Sequence, residues 1–307
     1  MSQALRASLG DYLAIRRALG FKLTREERFA RQFIDFLQSR GEERPLAELA
    51  LEWASSKGTD PAWWAARLTA IRGFTTYLHT LDPTIEIPQR VFGARSNRAT
   101  PFIYTDAEIA AILRAAELLP SPLSAATYRT LIGLIAVTGM RVGEAIRADR
   151  RDLDLDAGVL TVRQAKFNKT RALPLHATTT SALSDYLEQR DRLLPAPVSP
   201  ALFISLVGTR LIYTNVQQKF ARLIQHAGLG PRSASCRPRI HDLRHRFAVC
   251  TVLDWYAQGI EVQPKLPLLS AYLGHVHPED TYWYLSATPE LLALAGERLE
   301  RHLEGAT

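Results

Sequence analysis

Four residues towards the C-terminal end of the chain carry side chains suited to phosphate chemistry. IHDLRHRFAV holds His241 and Arg244, and LSAYLGHVHPEDTYWY holds His275 and Tyr284. Breaking a phosphodiester without a metal ion needs a nucleophile, two or more cations on the non-bridging oxygens as charge builds there, and an acid for the departing 5′ oxygen. Arginine suits the clamp, because its planar fork donates two hydrogen bonds and stays charged. Arg244 can supply one such clamp, and Arg141, in TGMRVGEAIR, a second. Tyrosine can attack phosphorus and leave again, which keeps the bond energy in a phosphotyrosyl link instead of losing it to water. Tyr284 has that capacity. Taken singly, each residue also has a plainer reading as packing or surface, so the elements around them must decide.

Those elements are mostly helical. In residues 1–82, Leu5, Leu9, Tyr12 and Leu13 recur at helical spacing, as do Phe29, Phe33, Phe36 and Leu37, and Trp64, Leu68, Ile71 and Leu78 make a third stripe. Asp60 followed by Pro61 is a cap and first-turn pair for that last helix, and a shorter helix is expected between Leu46 and Lys57. Arg16, Arg17, Lys22, Arg25, Arg28 and Arg31 crowd the first helix junction, either as a solvated face or, given a nucleic-acid partner, as phosphate contacts. The stretch DPTIEIPQRVFGARSNRATP reads as a basic linker. A second domain then opens on a capping box, Thr105 with Glu108. An apolar helix from about Ser124 to Val137 runs into Gly139, which permits a turn, and Arg141 starts the next helix. Alternation in DLDLDAGVLTVRQAKFNKTRALPLH predicts a small antiparallel sheet with turns at Asp156–Gly158 and Lys166–Thr170. Helices follow over Thr178–Leu194 and Asn215–Ala227. Past Tyr284, Thr288 and Pro289 start a helix striped by Leu291, Leu292, Ala295, Leu299 and Leu303.

The bulk numbers narrow the partner. A net charge of +7 favours a polyanion. Lys plus Arg exceed Asp plus Glu by 15 to 11 in residues 1–98 and by 23 to 20 in the remainder, so both parts could touch the same polyanion and neither is a basic tail. Cys236 and Cys250 form no CxxC pair, which suits a reducing compartment and argues against zinc–thiolate sites. No run approaches the roughly 18 apolar residues of a membrane span, and no leader pattern is evident at the N-terminus, so a cytoplasmic location is expected.

TGMRVGE, a lysine in a β-turn (AKFNKTRALPL), HDLRH, YLGH and a tyrosine nine residues past that last histidine occur in this order, and together they resemble the tyrosine recombinase family of phage integrases and Xer-type resolvases. The motifs span about residues 105–290. The resemblance implies a mainly α fold with a small antiparallel sheet. Residues 1–98 would form a helical core-binding, SAM-like domain with its linker, and residues 99–307 a DNA breaking-rejoining catalytic domain with a C-terminal interaction helix. It implies Arg141 and Arg244 as phosphate-clamping arginines and Lys166 as the acid for the 5′ hydroxyl. His241 becomes general base or acid, His275 a further phosphate donor, Tyr284 the nucleophile and Glu144 a supporting acidic residue. It further implies double-stranded DNA as substrate, a tetramer on that DNA coupled through the C-terminal helix, and no cofactor or metal. The block YLGHVHPEDTYWYLSATPEL is closer to recombinases of transposons and integrative elements than to chromosome-dimer resolvases.

Rival assignments stand beside these. Lys169 shares the turn with Lys166, and Tyr282 lies two residues before Tyr284. His245 and His277 read as helix packing and surface. HDLRH also resembles the HExxH zinc motif, with His275 as a third ligand, but aspartate replaces the glutamate base and an arginine between the ligands would repel a dication. A DNA-binding protein without catalysis would miss a catalytic residue, whereas all six are present. A type IB topoisomerase shares the chemistry and would not need synapsis of two sites. Dimer resolution is the alternative role for a recombinase.

Overall fold

The computed structural model describes residues 2–92, 100–163 and 170–275. The chain divides into two compact units, Met1–Arg98 and Ala99–Thr307.

Unit one is a four-helix module of α1 (Ser2–Ala18), α2 (Thr24–Ser39), α3 (Ala47–Ser55) and α4 (Pro61–Leu81). The Asp60 side chain accepts from the Ala62 N–H at 2.9 Å, and Pro61 fills the first turn, where its missing donor costs nothing. The predicted stripes meet inside: Leu9, Leu13, Phe29, Phe33, Leu37, Leu68, Ile71 and Leu78 form one core. Arg67, only 2% exposed, is a buried cation that periodicity does not reveal. It lies 4 Å above the Trp53 ring (3.9 Å) and donates to the Ala54 carbonyl at 3.1 Å, which offsets its loss of water.

In unit two, Thr105 and Glu108 close the expected capping box on α5 (Asp106–Glu117). The long helix α6 (Pro122–Thr138) is apolar on nearly all sides, because α5, α8 and α10 pack around it. Then come α7 (Val142–Arg147), a short 3₁₀ turn and the sheet β1 (Leu153–Asp154), β2 (Val159–Val162), β3 (Arg171–Pro174). All neighbours in the sheet are antiparallel, with Leu160 opposite Leu173 and Val162 opposite Arg171. The remaining helices are α8 (Ala177–Leu193), α9 (Tyr213–His226), α10 (Asp242–Ala257) and α11 (Leu266–Leu273). Leu131, Ile135, Leu160, Leu173, Phe203, Phe220 and Leu243 share the main core, while α10 and α11 add a smaller cluster through Val249, Val252 and Leu269. No helix among the described residues is long and apolar enough to cross a membrane. The expected second hairpin turn, the helix after Thr288 and much of the linker lie outside the described residues.

Candidate active site

The site is built where α6, α7, β3, α10 and the end of α11 meet. Helix α6 ends at Gly139 in the left-handed conformation, φ 61°. A side chain is excluded there by sterics as well as by φ: a Cβ would sit 2.4 Å from Cδ1 of Phe247. That turn swings the chain outward and sets Arg141 at the N-cap of α7, with an extended backbone.

Glu144 then organises the cations. Its Oε2 accepts the Arg141 backbone N–H at 2.9 Å and its Oε1 accepts Nη1 of the same residue at 2.9 Å. Arg171, at the start of β3, closes a fork on the same carboxylate at 2.8 and 3.2 Å. Burial alone would raise the Glu144 pKa, but hydrogen bonds and charge from Arg171, then the Arg141 backbone N–H and charge, outweigh it and hold the carboxyl down at about 2. Glu144 is therefore a fixed anion and has no proton to give at neutral pH.

Both proposed clamp arginines brace on the turn that follows α11. Arg141 donates from Nη2 to the Gly274 carbonyl at 3.1 Å. Arg244 donates from Nη1 to Gly139 O at 2.8 Å, and from Nη2 to Leu273 O and His275 Nε2, each at 2.7 Å. Gly274 has φ 69°, which lets the chain reverse and bring His275 back over Arg244. The two arginines differ in access. The Arg141 side chain is 29% exposed, whereas Arg244 is fully buried.

His241 occupies the N-cap position of α10, without a side-chain cap hydrogen bond, and lies near the same cations. Packing around the ring, followed by Arg244, Arg141 and Arg239, pushes its pKa down to about 4. The residue as a whole is exposed, so desolvation counts for less than in a sealed site, and the three cations carry the direction. A neutral His241 at pH 7 can accept a proton. His245, one turn on, is 4% exposed and packs edge-on against His241 with ring centroids 5.0 Å apart, in keeping with a packing role.

The zinc alternative does not assemble. Asp242 is held by a two-pronged pair from Arg239 at 3.0 and 2.8 Å and so is not a free base. His275 Nε2 already accepts the Arg244 N–H, and among the described residues no group of three His, Cys, Asp or Glu side chains could hold a metal ion.

Arg141, His241, Arg244 and His275 are thus brought together, with Glu144 behind them. Lys166 and Tyr284 lie outside the described residues, as do Lys169, Tyr282 and His277. Arg171 is the residue that motif reading misses. The signal for it was parity: Arg171 and Leu173 share one face of β3, and Leu173 is fully buried, so Arg171 must also point inward.

In unit one, the basic cluster is partly self-neutralised. Arg17 and Arg31 both pair with Glu27, and Arg16 stacks over Phe21 at 4.0 Å. A separate groove of about 550 Å³ is lined by small residues of α4, among them Ala66, Thr69 and Gly73, by Arg25, Arg72 and Arg90, and by Glu26.

Three comparisons bear on this arrangement. The family model described as "Phage integrase family" matches residues 103–290. "Putative integrase/recombinase y4rB" of Sinorhizobium fredii is 40% identical over 98% of this chain and 99% of its own length. Among solved structures, the Tn1549 transposon integrase in complex with a circular intermediate DNA matches with a TM-score of 0.65 and 18% identity, covering 95% of this chain and 99% of the other. A lambda integrase tetramer bound to a Holliday junction matches with a TM-score of 0.60 and 20% identity, covering 91% and 76%. At these identities the two structures speak for the fold.

Proposed function

The chain belongs to the phage integrase family, and from that premise we propose that it is a site-specific tyrosine recombinase that cuts and rejoins DNA for a mobile element. The observation that carries the reading is the convergence of Arg141, Arg244 and His275 on the turn after α11, with a neutral His241 at its edge. Such a site can neutralise a phosphate and accept a proton at one place.

In the proposed reaction Tyr284 Oη gives its proton to His241 and bonds to the scissile phosphorus. The bond from phosphorus to O5′ breaks, and O5′ takes a proton from Lys166. The products are a 3′-phosphotyrosyl link and a free 5′ hydroxyl. Attack by the partner strand's 5′ hydroxyl reverses each transfer: Lys166 recovers a proton, His241 returns one, and Tyr284 is released. One phosphoester is exchanged for another, so neither ATP nor a metal ion is required by the energetics. Arg141 and Arg244 would hold the non-bridging oxygens, with His275 as a further donor through Nδ1, since its Nε2 is occupied as an acceptor.

Double-stranded DNA is the proposed substrate, and the groove on α4 supports a backbone-contacting role for unit one. Its small α4 residues leave room for close approach, and Arg25, Arg72 and Arg90 would meet phosphates there. The likeness to the putative integrase/recombinase y4rB, together with the YLGHVHPEDTYWYLSATPEL block, supports integration, excision or transposition over dimer resolution. A tetramer on DNA, coupled through the helix after Thr288 docking on a neighbouring copy, completes the proposal, with the protein acting in the cytoplasm.

The test is a nicked duplex made from the DNA flanking the gene, which traps the intermediate because the short 5′ fragment diffuses away. A covalent adduct blocking the 3′ end, with the released 5′ end bearing a hydroxyl, is expected. Hydrolytic nicking without an adduct would remove the reading.

A further inference from the structure

Arg171 is 14% exposed at its side chain and uses three nitrogens on two different elements. Nη1 and Nη2 grip Glu144 on α7, and Nε donates to the Tyr272 carbonyl near the end of α11 at 2.8 Å. Gly274 is shaped to this side chain, because a Cβ there would lie 2.7 Å from Arg171 Nη1. One guanidinium thereby ties β3 to the start of α7 and to the corner that carries His275.

The consequence lies in how Glu144 is shared. One carboxylate serves two guanidinium groups, Arg141 and Arg171. With Arg171 satisfying one side, Arg141 spends Nη1 on Glu144 and Nη2 on Gly274 O, and its 29%-exposed side chain stays turned to the opening. Without Arg171, the buried anion keeps Arg141 as its remaining ion-pair partner among the described residues, and a bidentate pair between them becomes the favoured geometry. That pair would draw Nη2 off Gly274 and turn the fork away from the phosphate. The Tyr272 carbonyl would lose its donor at the same time, and the His275 corner one of its anchors.

We infer that Arg171 is a positioning residue of the phosphate clamp: it holds Glu144 and the Tyr272–His275 corner so that Arg141 and His275 face the scissile phosphate. The inference rests on the recombinase reading above. It is distinct from the role of Lys166, because the contacts run to the clamp and to the corner after α11.

Three nicked substrates separate these effects: the normal phosphodiester, a neutral methylphosphonate at the scissile position, and a bridging 5′-phosphorothiolate whose leaving group needs no acid. Arg171→Ala should cleave the phosphodiester about 10–100-fold more slowly, less than the loss of a direct transition-state donor. DNA affinity should stay within about threefold. On the methylphosphonate the deficit should shrink to a few-fold, since a neutral centre asks less of a clamp, and the phosphorothiolate should restore nothing. Arg171→Lys keeps the charge but cannot span Glu144 and Tyr272 together, so it should recover only part of the rate; it carries the same test if the alanine variant does not fold. Equal loss on all three substrates, rescue by the phosphorothiolate alone, or a defect confined to DNA binding would each overturn the inference. Failure of the parent reading shows separately, as a wild-type protein that forms no adduct on any substrate.

Discussion

Arg244 donates from Nη2 to Nε2 of His275 at 2.7 Å, which ties the first turn of α10 to the second residue past α11. Because a guanidinium has no lone pair to offer, His275 must be the acceptor, and the proton of its neutral ring sits on Nδ1. The same Arg244 holds the carbonyls of Gly139 and Leu273. Arg244→Ala should therefore lose cleavage by about 10²–10³-fold or more, with further destabilisation from carbonyls left unpaired. His275→Ala should cost less, about tenfold, and the double variant should be little worse than Arg244→Ala, since the two act as one unit. Single-turnover cleavage rates of the three variants check this; additive losses would mean that the pair is not coupled.

Gly139→Ala tests the turn that delivers Arg141. Left-handed backbone costs a non-glycine residue about 1–2 kcal/mol, and the added Cβ would strike Phe247, which is stacked on Tyr272 with centroids 5.6 Å apart. Phe247 cannot yield without moving Tyr272, so overpacking adds about 1–3 kcal/mol. Urea unfolding should show a loss of roughly 2–5 kcal/mol, and cleavage should fall even where the variant is folded.

Acid should unfold this domain in two stages. Burial first, then the electrostatic influence of the neighbouring His241, Arg239, Arg244 and His275, lowers the His245 pKa from the ordinary imidazole value near 6.5 to about 3. The unfolded chain then binds a proton that the folded one refuses, so stability is full above pH 6.5 and falls as the pH drops towards 3. Glu144, at about 2 against 4.5, adds stability that is present above pH 4.5 and lost between 4.5 and 2. Each contributes on the order of 3–5 kcal/mol at most. His245→Gln should flatten the upper stage and Glu144→Gln the lower one in urea melts taken across pH.

Much of this was legible in the sequence, for physical reasons that differ by residue. Helical stripes such as Phe29, Phe33 and Leu37 report burial directly, and Asp60 and Thr105 act within one turn of themselves, so both survive folding unchanged. The fold class and the gathering of Arg141, His241, Arg244 and His275 followed the motif order. Arg171 did not, because its partners Glu144 and Tyr272 lie 27 and 101 residues away and no local spacing encodes them. Arg67 was hidden for the same reason: a cation buried against Trp53 looks on paper like any exposed arginine. The full burial of Arg244 was likewise invisible, since burial of one side chain depends on elements from Gly139 to His275.

Lys166 and Lys169 can be told apart by the leaving group. If Lys166 protonates O5′, Lys166→Ala should lose about 10²–10⁴-fold on a normal strand, the usual reach of general acid catalysis, and recover most of it on a 5′-phosphorothiolate. Lys169→Ala should change little on either. Equal loss of Lys166→Ala on both substrates would assign the acid elsewhere.

In the proposed reaction one tyrosine, Tyr284, attacks the phosphate. Tyr284→Phe and Tyr282→Phe should be compared on the nicked duplex, with the adduct resolved by denaturing gel and its peptide mapped by mass spectrometry. Tyr284→Phe should bind the DNA as well as the wild type and form no adduct, while Tyr282→Phe should still form one at Tyr284. An adduct that persists in Tyr284→Phe, or one mapped to Tyr282, would contradict it.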